Sequence, residues 1–212
     1  MTTKTSLEIE CRANRPEDKL FLALCCGHKK ITTKQIETDN QTLSLKWADI
    51  QIMGPAAACL YLEAIIPTPS LFPNGNMGMP LALLHWWQSM IKLPAGNEAV
   101  LIANSLLISR QMKDGRPFLQ GPSPGLADIS AASWCIPHQH LFENDTSLSL
   151  WIERMQTLTS GRPPQSPVKL TPLTDIRKNA QHQGLLYFTV EGDITTITSP
   201  LDDTPGPMLS SS

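Results

Sequence analysis

The sequence predicts an α+β protein in two parts, a small mixed sheet with its helices at the N-terminal end and an all-helical part after it. Three observations predict this. Strand-like and helix-like runs alternate over residues 1–66, a proline-rich stretch (Ile66-Pro67-Thr68-Pro69-Ser70-Leu71-Phe72-Pro73-Asn74-Gly75) interrupts them, and beyond it apolar residues recur at helical spacing. The expected organisation is a sheet domain over 1–66, a linker over 67–75, a helical domain over 76–160, and an appendage over 161–212 whose composition allows partial disorder.

The elements follow in order. Leu7 to Cys11 alternates apolar and polar residues as an edge or half-buried strand does, and Ala13-Asn14-Arg15-Pro16 forms a turn that sets Pro16 in the first turn of a helix. That helix, from about Glu17, carries Leu20 and Leu24 on one stripe with Phe21 and Cys25 beside it, and Gly27 is expected to end it as a C-terminal cap. A strand from Ile31 to Glu37 comes next. From Leu43 the run LSLKWADIQIM reads as two short strands bent at Ala48-Asp49, and Gly54-Pro55 opens a helix from Ala56 to about Ile66. A βαβ unit followed by ββα is the arrangement of a small thioredoxin-like sheet, although periodicity alone also permits other split α/β units.

Past the linker, Leu81, Leu84, Trp87 and Ile91 predict one long helix, and Val100, Leu101, Asn104, Leu107, Ile108 and Met112 a second. Between Gln51 and Ser109 the charged side chains are Glu63, Lys92 and Glu98, so neither helix has an ordinary charged face. Both are expected to lie between neighbours, through domain docking or at a subunit interface. In Arg116-Pro117-Phe118-Leu119-Gln120-Gly121-Pro122-Ser123-Pro124-Gly125-Leu126-Ala127-Asp128-Ile129, Gly125 is placed to cap a helix and Asp128, three residues on, to reach back to its N–H. Capping accounts for the spacing of Asp128, which is therefore assigned a structural role. A last amphipathic helix, Ser147 to about Leu158, shows Leu150, Trp151, Met155 and Leu158 on one side, and the tail holds a strand-like pair, Leu185 to Val190 and Ile194 to Ile197.

Composition narrows the function classes. Seventeen basic residues against nineteen acidic ones give a formal charge of −2, which is no footprint for nucleic acid. No run of the sequence is long and apolar enough to read as a membrane span or a secretory leader. The five cysteines, odd in number and including the adjacent Cys25-Cys26, suit a reducing compartment, and a cytoplasmic protein is expected. Charged residues make up 17% of the chain against roughly 25% in typical soluble domains, which points to surface covered by a partner. His138 and His140 lack companions at metal-ligand spacing, so no metal is expected. Arg12 and Arg15 read as solvated charges.

FLQGPSPGLADI resembles the C-terminal-domain motif of the glutathione S-transferase superfamily, and IPTPSLFP resembles that family's interdomain linker. LSLWIERMQTL is similar to the late helix that carries Trp and Arg in bacterial members, and VEGDITTITSPLDDTPGPML resembles the small C-terminal extension of some longer ones. The resemblance implies a thioredoxin-like N-terminal domain, reduced in size, followed by the family's all-helical domain. It also implies a glutathione site. A Ser, Cys or Tyr after the first strand would favour the glutathione thiolate, and Asn14 stands at or near that position. A cis-proline would precede the third strand, where Leu43 stands, and Glu-Ser or Asp-Ser would hold the γ-glutamyl carboxylate at the start of the third helix, where Gly54-Pro55 stand. The segment Thr38 to Gln41 is too short for the family's second helix.

The expectation is a retained fold with a degenerate glutathione site at Asn14, Leu43, Gly54 and Pro55. The leading functional reading is a transferase-like protein, non-catalytic or weakly active, that serves as a dimerisation or protein-interaction module. The alternative is an active transferase joining glutathione to an apolar electrophile, with Asn14 or a nearby N–H supporting the thiolate. Enzyme status is left open, leaning to none; no cofactor is expected, with glutathione the candidate substrate. Expected partners are a second copy or another protein, and neither nucleic acid nor membrane. Trp86 and Trp87, in the first helix of the second domain, are assigned to an apolar pocket or an interface.

Overall fold

The computed structural model describes residues 8–13, 15–36, 43–91, 108–142, 144–159, 173–178 and 184–203. Strand β1 (Glu8–Arg12) leads into α1 (Pro16–His28), followed by β2 (Thr32–Ile36), β3 (Ser44–Trp47), β4 (Ile50–Met53) and α2 (Pro55–Ile65). This is the predicted βαβ-ββα order, with the bend between β3 and β4 at Ala48, whose φ is 52°. The helical part holds α3 (Gly78–Ile91), α4 (Leu126–Cys135) and α5 (Thr146–Gln156), and a short α6 (Leu173–Lys178) follows. Most of the second long helix predicted from Val100 to Met112 lies outside the described residues; its end, 108–111, is helical.

Residues 184–203 lie in the stretch set apart above as an appendage. They form β5 (Tyr187–Glu191), β6 (Ile194–Thr198) and α7 (Pro200–Asp203), and the hairpin joins the N-terminal sheet. The strand order is β2-β1-β3-β4-β6-β5. β1 runs parallel to β2 and antiparallel to β3, β3 is antiparallel to β4, and β6 lies parallel to β4 with Ile50 opposite Thr195 and Ile52 opposite Ile197. The alternation in Ile194–Thr198 explains the docking: Ile197 is wholly buried, and β6 gives β4 a hydrogen-bonding neighbour on its far side.

All ten residues of α4 are buried, because α1 packs on one side of it and α3 on another. Its polar side chains are satisfied there: Ser130 Oγ donates to Leu126 O at 2.7 Å and Ser133 Oγ to Ser130 O at 2.8 Å. Asp128 holds its start in place. Its carboxylate accepts from the backbone N–H of Leu119 (2.7 Å), Gln120 (3.4 Å) and Gly125 (3.2 Å) and from Trp151 Nε1 (2.9 Å). The Asp128-to-Gly125 bond is the one the spacing predicts. The remaining cap comes from Gln120, whose Oε1 accepts from Ala127 N at 2.9 Å. A Cβ on Gly125 would fall 2.1 Å from that oxygen, so glycine leaves room for a cap supplied from elsewhere in the chain.

Two expectations need correction. Gly27 lies inside α1 and does not cap it: the helix continues to His28, and a Cβ on Gly27 would meet Leu158 O at 2.1 Å, so the residue marks a close approach of the chain after α5. In α5 the buried stripe is Leu148, Trp151, Ile152 and Met155, while Leu150 is exposed, because Trp151 must reach Asp128.

Candidate functional site

The corner where β4 turns into α2 brings several of the sequence-selected positions together. Gly54 N donates to Leu43 O at 2.9 Å, so the residue before β3 and the residue before α2 are direct neighbours. Gly54 has φ 95°, a region that favours glycine, and Pro55 occupies the first helical position. Leu43 is buried, and between them Leu43, Gly54 and Pro55 offer no side-chain donor or acceptor. Asn14 lies outside the described residues.

A residue that sequence reasoning missed completes the corner. Asp202 of α7 accepts from Ala56 N through Oδ1 at 2.7 Å and from Ala57 N through Oδ2 at 3.0 Å. The carboxylate thus sits on the free amides of α2, where the dipole and the unsatisfied donors favour a negative charge. The resemblance had implied a ligand carboxylate at this helix start; here the carboxylate is the chain's own. The only local hint was Ser-Pro-Leu-Asp-Asp, a helix-start pattern at 199–203, which carries no information about a partner 146 residues away.

At the ends of α1 and α2 lies a second polar cluster. Lys29, fully buried, pairs with Glu63 and donates to Ile66 O and Pro69 O, both at 2.7 Å. Glu63 also accepts from Leu71 N at 2.8 Å and from Ser70 Oγ at 2.5 Å, and His28 Nε2 lies 3.0 Å from Ser70 O. The ends of α1 and α2 are thereby tied to the segment 66–71. Burial pushes the His28 pKa below 6.5, with the hydrogen bond to Ser70 opposing it, so the ring is the neutral form donating from Nε2. Burial likewise lowers the pKa of Lys29, against the pull of Glu63.

At the α1 start Arg15 is not the solvated charge expected, while the side chain of Arg12 lies outside the described ones. Arg15 Nε donates to Asp18 Oδ2 at 2.9 Å, and Asp18 is buried, with Oδ1 lacking a hydrogen-bond partner. Burial raises the Asp18 pKa above 3.8, and Arg15 offsets this only in part.

The remaining selected residues are spread out. Trp86 is half-buried against the core, and the side chain of Trp87 lies outside the described ones. His138 stacks on Trp134 with ring centroids 4.7 Å apart and bonds through Nδ1 to Trp134 O. Cys11, Cys25, Cys26, Cys59 and Cys135 are buried and form no disulfide; burial raises the pKa values of Cys25 and Cys135, and a hydrogen bond with Cys11, together with burial, raises that of Cys26, which disfavours the reactive thiolate. Among the described residues no group of three or more His, Cys, Asp or Glu side chains could hold a metal ion, and no helix is long and apolar enough to cross a membrane.

A thioredoxin-like sheet followed by a helical domain centred on a capped, buried helix is the fold of the glutathione S-transferases, and solved structures of that superfamily match it. A GST-like protein from Pseudomonas syringae superposes with a TM-score of 0.62 at 13% identity, over 93% of this chain and 98% of that one. A glutathione S-transferase from Rhodospirillum rubrum gives 0.57 at 18% identity, over 80% of this chain and 99% of the other. The theta-class enzyme of Xanthomonas axonopodis pv. citri, solved with glutathione bound, gives 0.51 at 16% identity over 74% and 100% of the two chains. No model of a known protein family matches the sequence, and no curated protein matches it significantly.

Proposed function

We propose that this chain is a glutathione S-transferase-like protein, non-catalytic or weakly active, that works in the cytoplasm as a dimerisation or protein-interaction module. The observation that carries the reading is the β4–α2 corner. Leu43, Gly54 and Pro55 give it no carboxylate, no hydroxyl and, at Pro55, no N–H, so the corner has few polar groups with which to bind a peptide-like thiol. The proposed division is a thioredoxin-like domain over 1–66, a linker over 67–75, a helical domain over 76–160 and an appendage over 161–212 that lends its hairpin to the sheet, with a second copy or another protein as partner. The low charge of the middle of the chain supports a covered surface, since exposed helices ordinarily carry a polar face.

Isothermal titration with reduced glutathione to millimolar concentration, with an electrophile-conjugation assay on the same sample, tests the first half. No heat and no turnover is the expected result; saturable binding with turnover replaces the reading with an active transferase. Light scattering tests the second half, with a mass above that of one chain expected.

A further inference from the structure

The six-stranded sheet ends in β2 on one side and β5 on the other, and the two edges are built differently. β2 carries Lys34, exposed at its centre, and a lysine there discourages a foreign strand from pairing. β5 reads Tyr187-Phe188-Thr189-Val190-Glu191, with no lysine, arginine or proline, and its one charge stands at the end. It is also apolar where it meets solvent. The described residues include five large apolar side chains that are exposed, and three of them, Tyr187 (54%), Val190 (58%) and Ile194 (47%), lie on this hairpin. Nothing among the described residues pairs with the outer side of β5.

The register of the hairpin decides which backbone groups face outward. Glu191 pairs with Ile194 across a loop of two residues, Gly192 and Asp193, and that spacing makes it a hydrogen-bonded pair. By alternation Thr189 and Tyr187 also direct their N–H and C=O at β6, while Phe188 and Val190 direct theirs away from it. Thr195 agrees: it stands opposite Val190, and its N–H points the other way, to Asp49 O at 2.8 Å. The side chains alternate as well. Phe188 and Val190 share a face with the buried Ile197, and Tyr187, Thr189 and Glu191 share the opposite face with Ile194. Arg177 of α6 lies over the Phe188 ring, 5.1 Å from its centroid, and leaves Val190 uncovered.

We propose that β5 is a self-pairing edge: two copies of this chain join antiparallel about Thr189, so that their two sheets become continuous. In this register Phe188 and the partner's Val190, which carry the outward backbone groups, form the hydrogen-bonded pairs. Thr189 meets the partner's Thr189, and Tyr187 meets the partner's Glu191. An aromatic side chain beside a β-branched one, and a carboxylate beside a phenol hydroxyl, suit cross-strand neighbours, and no two like charges oppose each other. A two-fold pairing uses the β5 edge of both copies and leaves the lysine-bearing β2 edges outside, so assembly stops at a dimer. The pairing rests on the dimerisation reading proposed above and gives it a surface. With five residues a side the strand contact is small, so the dimer forms and dissociates with concentration.

The test is the mass of the full-length chain by analytical sedimentation over a range of concentrations. At high concentration the wild type should approach about twice the mass of Thr189→Lys, which sets two lysines against each other on the axis, and of Thr189→Glu. An equimolar mixture of the two variants should recover the wild-type mass, because lysine then meets glutamate. Thr189 is exposed, so both variants should keep the unfolding temperature of the dilute wild type. Equal masses for the wild type and both variants overturn the pairing. If that common mass exceeds one chain, the dimerisation reading stands and another surface carries it; if it is one chain, that reading loses its second copy too, and the edge is left to a strand of another protein. Amide exchange adds a check that needs no variant: raising the wild-type concentration should slow exchange at Phe188 and Val190 by at least about tenfold, with Thr189, already bonded to β6, changing less. Exchange at Phe188 and Val190 that does not depend on concentration also overturns the pairing.

Discussion

Lys29 at the end of α1 and Glu63 on α2 form an ion pair whose lysine side chain has no solvent exposure. The pair lies where α2 ends, and the same two side chains hold the backbone of Ile66, Pro69 and Leu71. Removing one partner strands the other's charge in the interior, whereas removing both does not. Glu63→Gln should therefore cost about 3 kcal/mol in urea unfolding. Lys29→Met combined with Glu63→Gln should recover part of that loss, and a double variant no better than the single one would show that the linker contacts, not the charge, dominate.

The neutral, buried His28 makes a pH prediction. Its folded pKa lies below 6.5, so in the window between that value and 6.5 the unfolded chain binds the extra proton and stability rises with pH. The contribution is complete above 6.5 and is lost as pH falls towards the folded pKa. Asp18 and Asp128, with folded pKa values raised above 3.8, act in the opposite sense: their burial cost is present once they ionise and is relieved on acidification. His28→Gln keeps a donor for Ser70 O and removes the titration. The stability of this variant relative to wild type should thus increase from pH 7 to pH 5, measured by thermal unfolding; a pH-independent difference would contradict a neutral His28.

Asp128 joins the loop before α4 to Trp151 on α5 through four accepted hydrogen bonds. Asp128→Ala leaves those donors buried and unsatisfied, at about 1–3 kcal/mol for each one that water cannot reach, so the variant should lose about 3 kcal/mol or more. Trp151→Phe removes one donor and some packing, at about 1–2 kcal/mol. A double-mutant cycle in urea should show coupling of at least about 0.5 kcal/mol, because the two groups touch.

Gln120 acts as a cap from outside the helix it caps. Gln120→Ala should cost about 1 kcal/mol through the loss of the bond to Ala127 N. Gly125→Ala should be at least as damaging, since its Cβ would overlap Gln120 and Pro73. If both substitutions are silent in chemical denaturation, the start of α4 does not depend on this cap.

The elements over residues 8–65 and the start of α4 were legible in the sequence because each is announced locally. Alternation marks β1 and β4, Pro16 and Pro55 mark helix starts, and the spacing of Gly125 and Asp128 marks a third. The transferase-like fold followed from motifs of the same short range. What escaped is everything joined across the chain. That Asp202 meets Ala56 and Ala57, that Gln120 supplies the cap Gly125 lacks, that Lys29 meets Glu63, and that β6 pairs with β4 are all facts about distant segments brought together by packing, which leaves no periodicity for a single sequence to display. By itself the sequence determined the order of elements, the apolar faces and the gaps in the polar pattern at Gly54 and Pro55. Only the tertiary structure decided what fills those gaps, because an unsatisfied helix start accepts a carboxylate from any segment that the fold can carry to it.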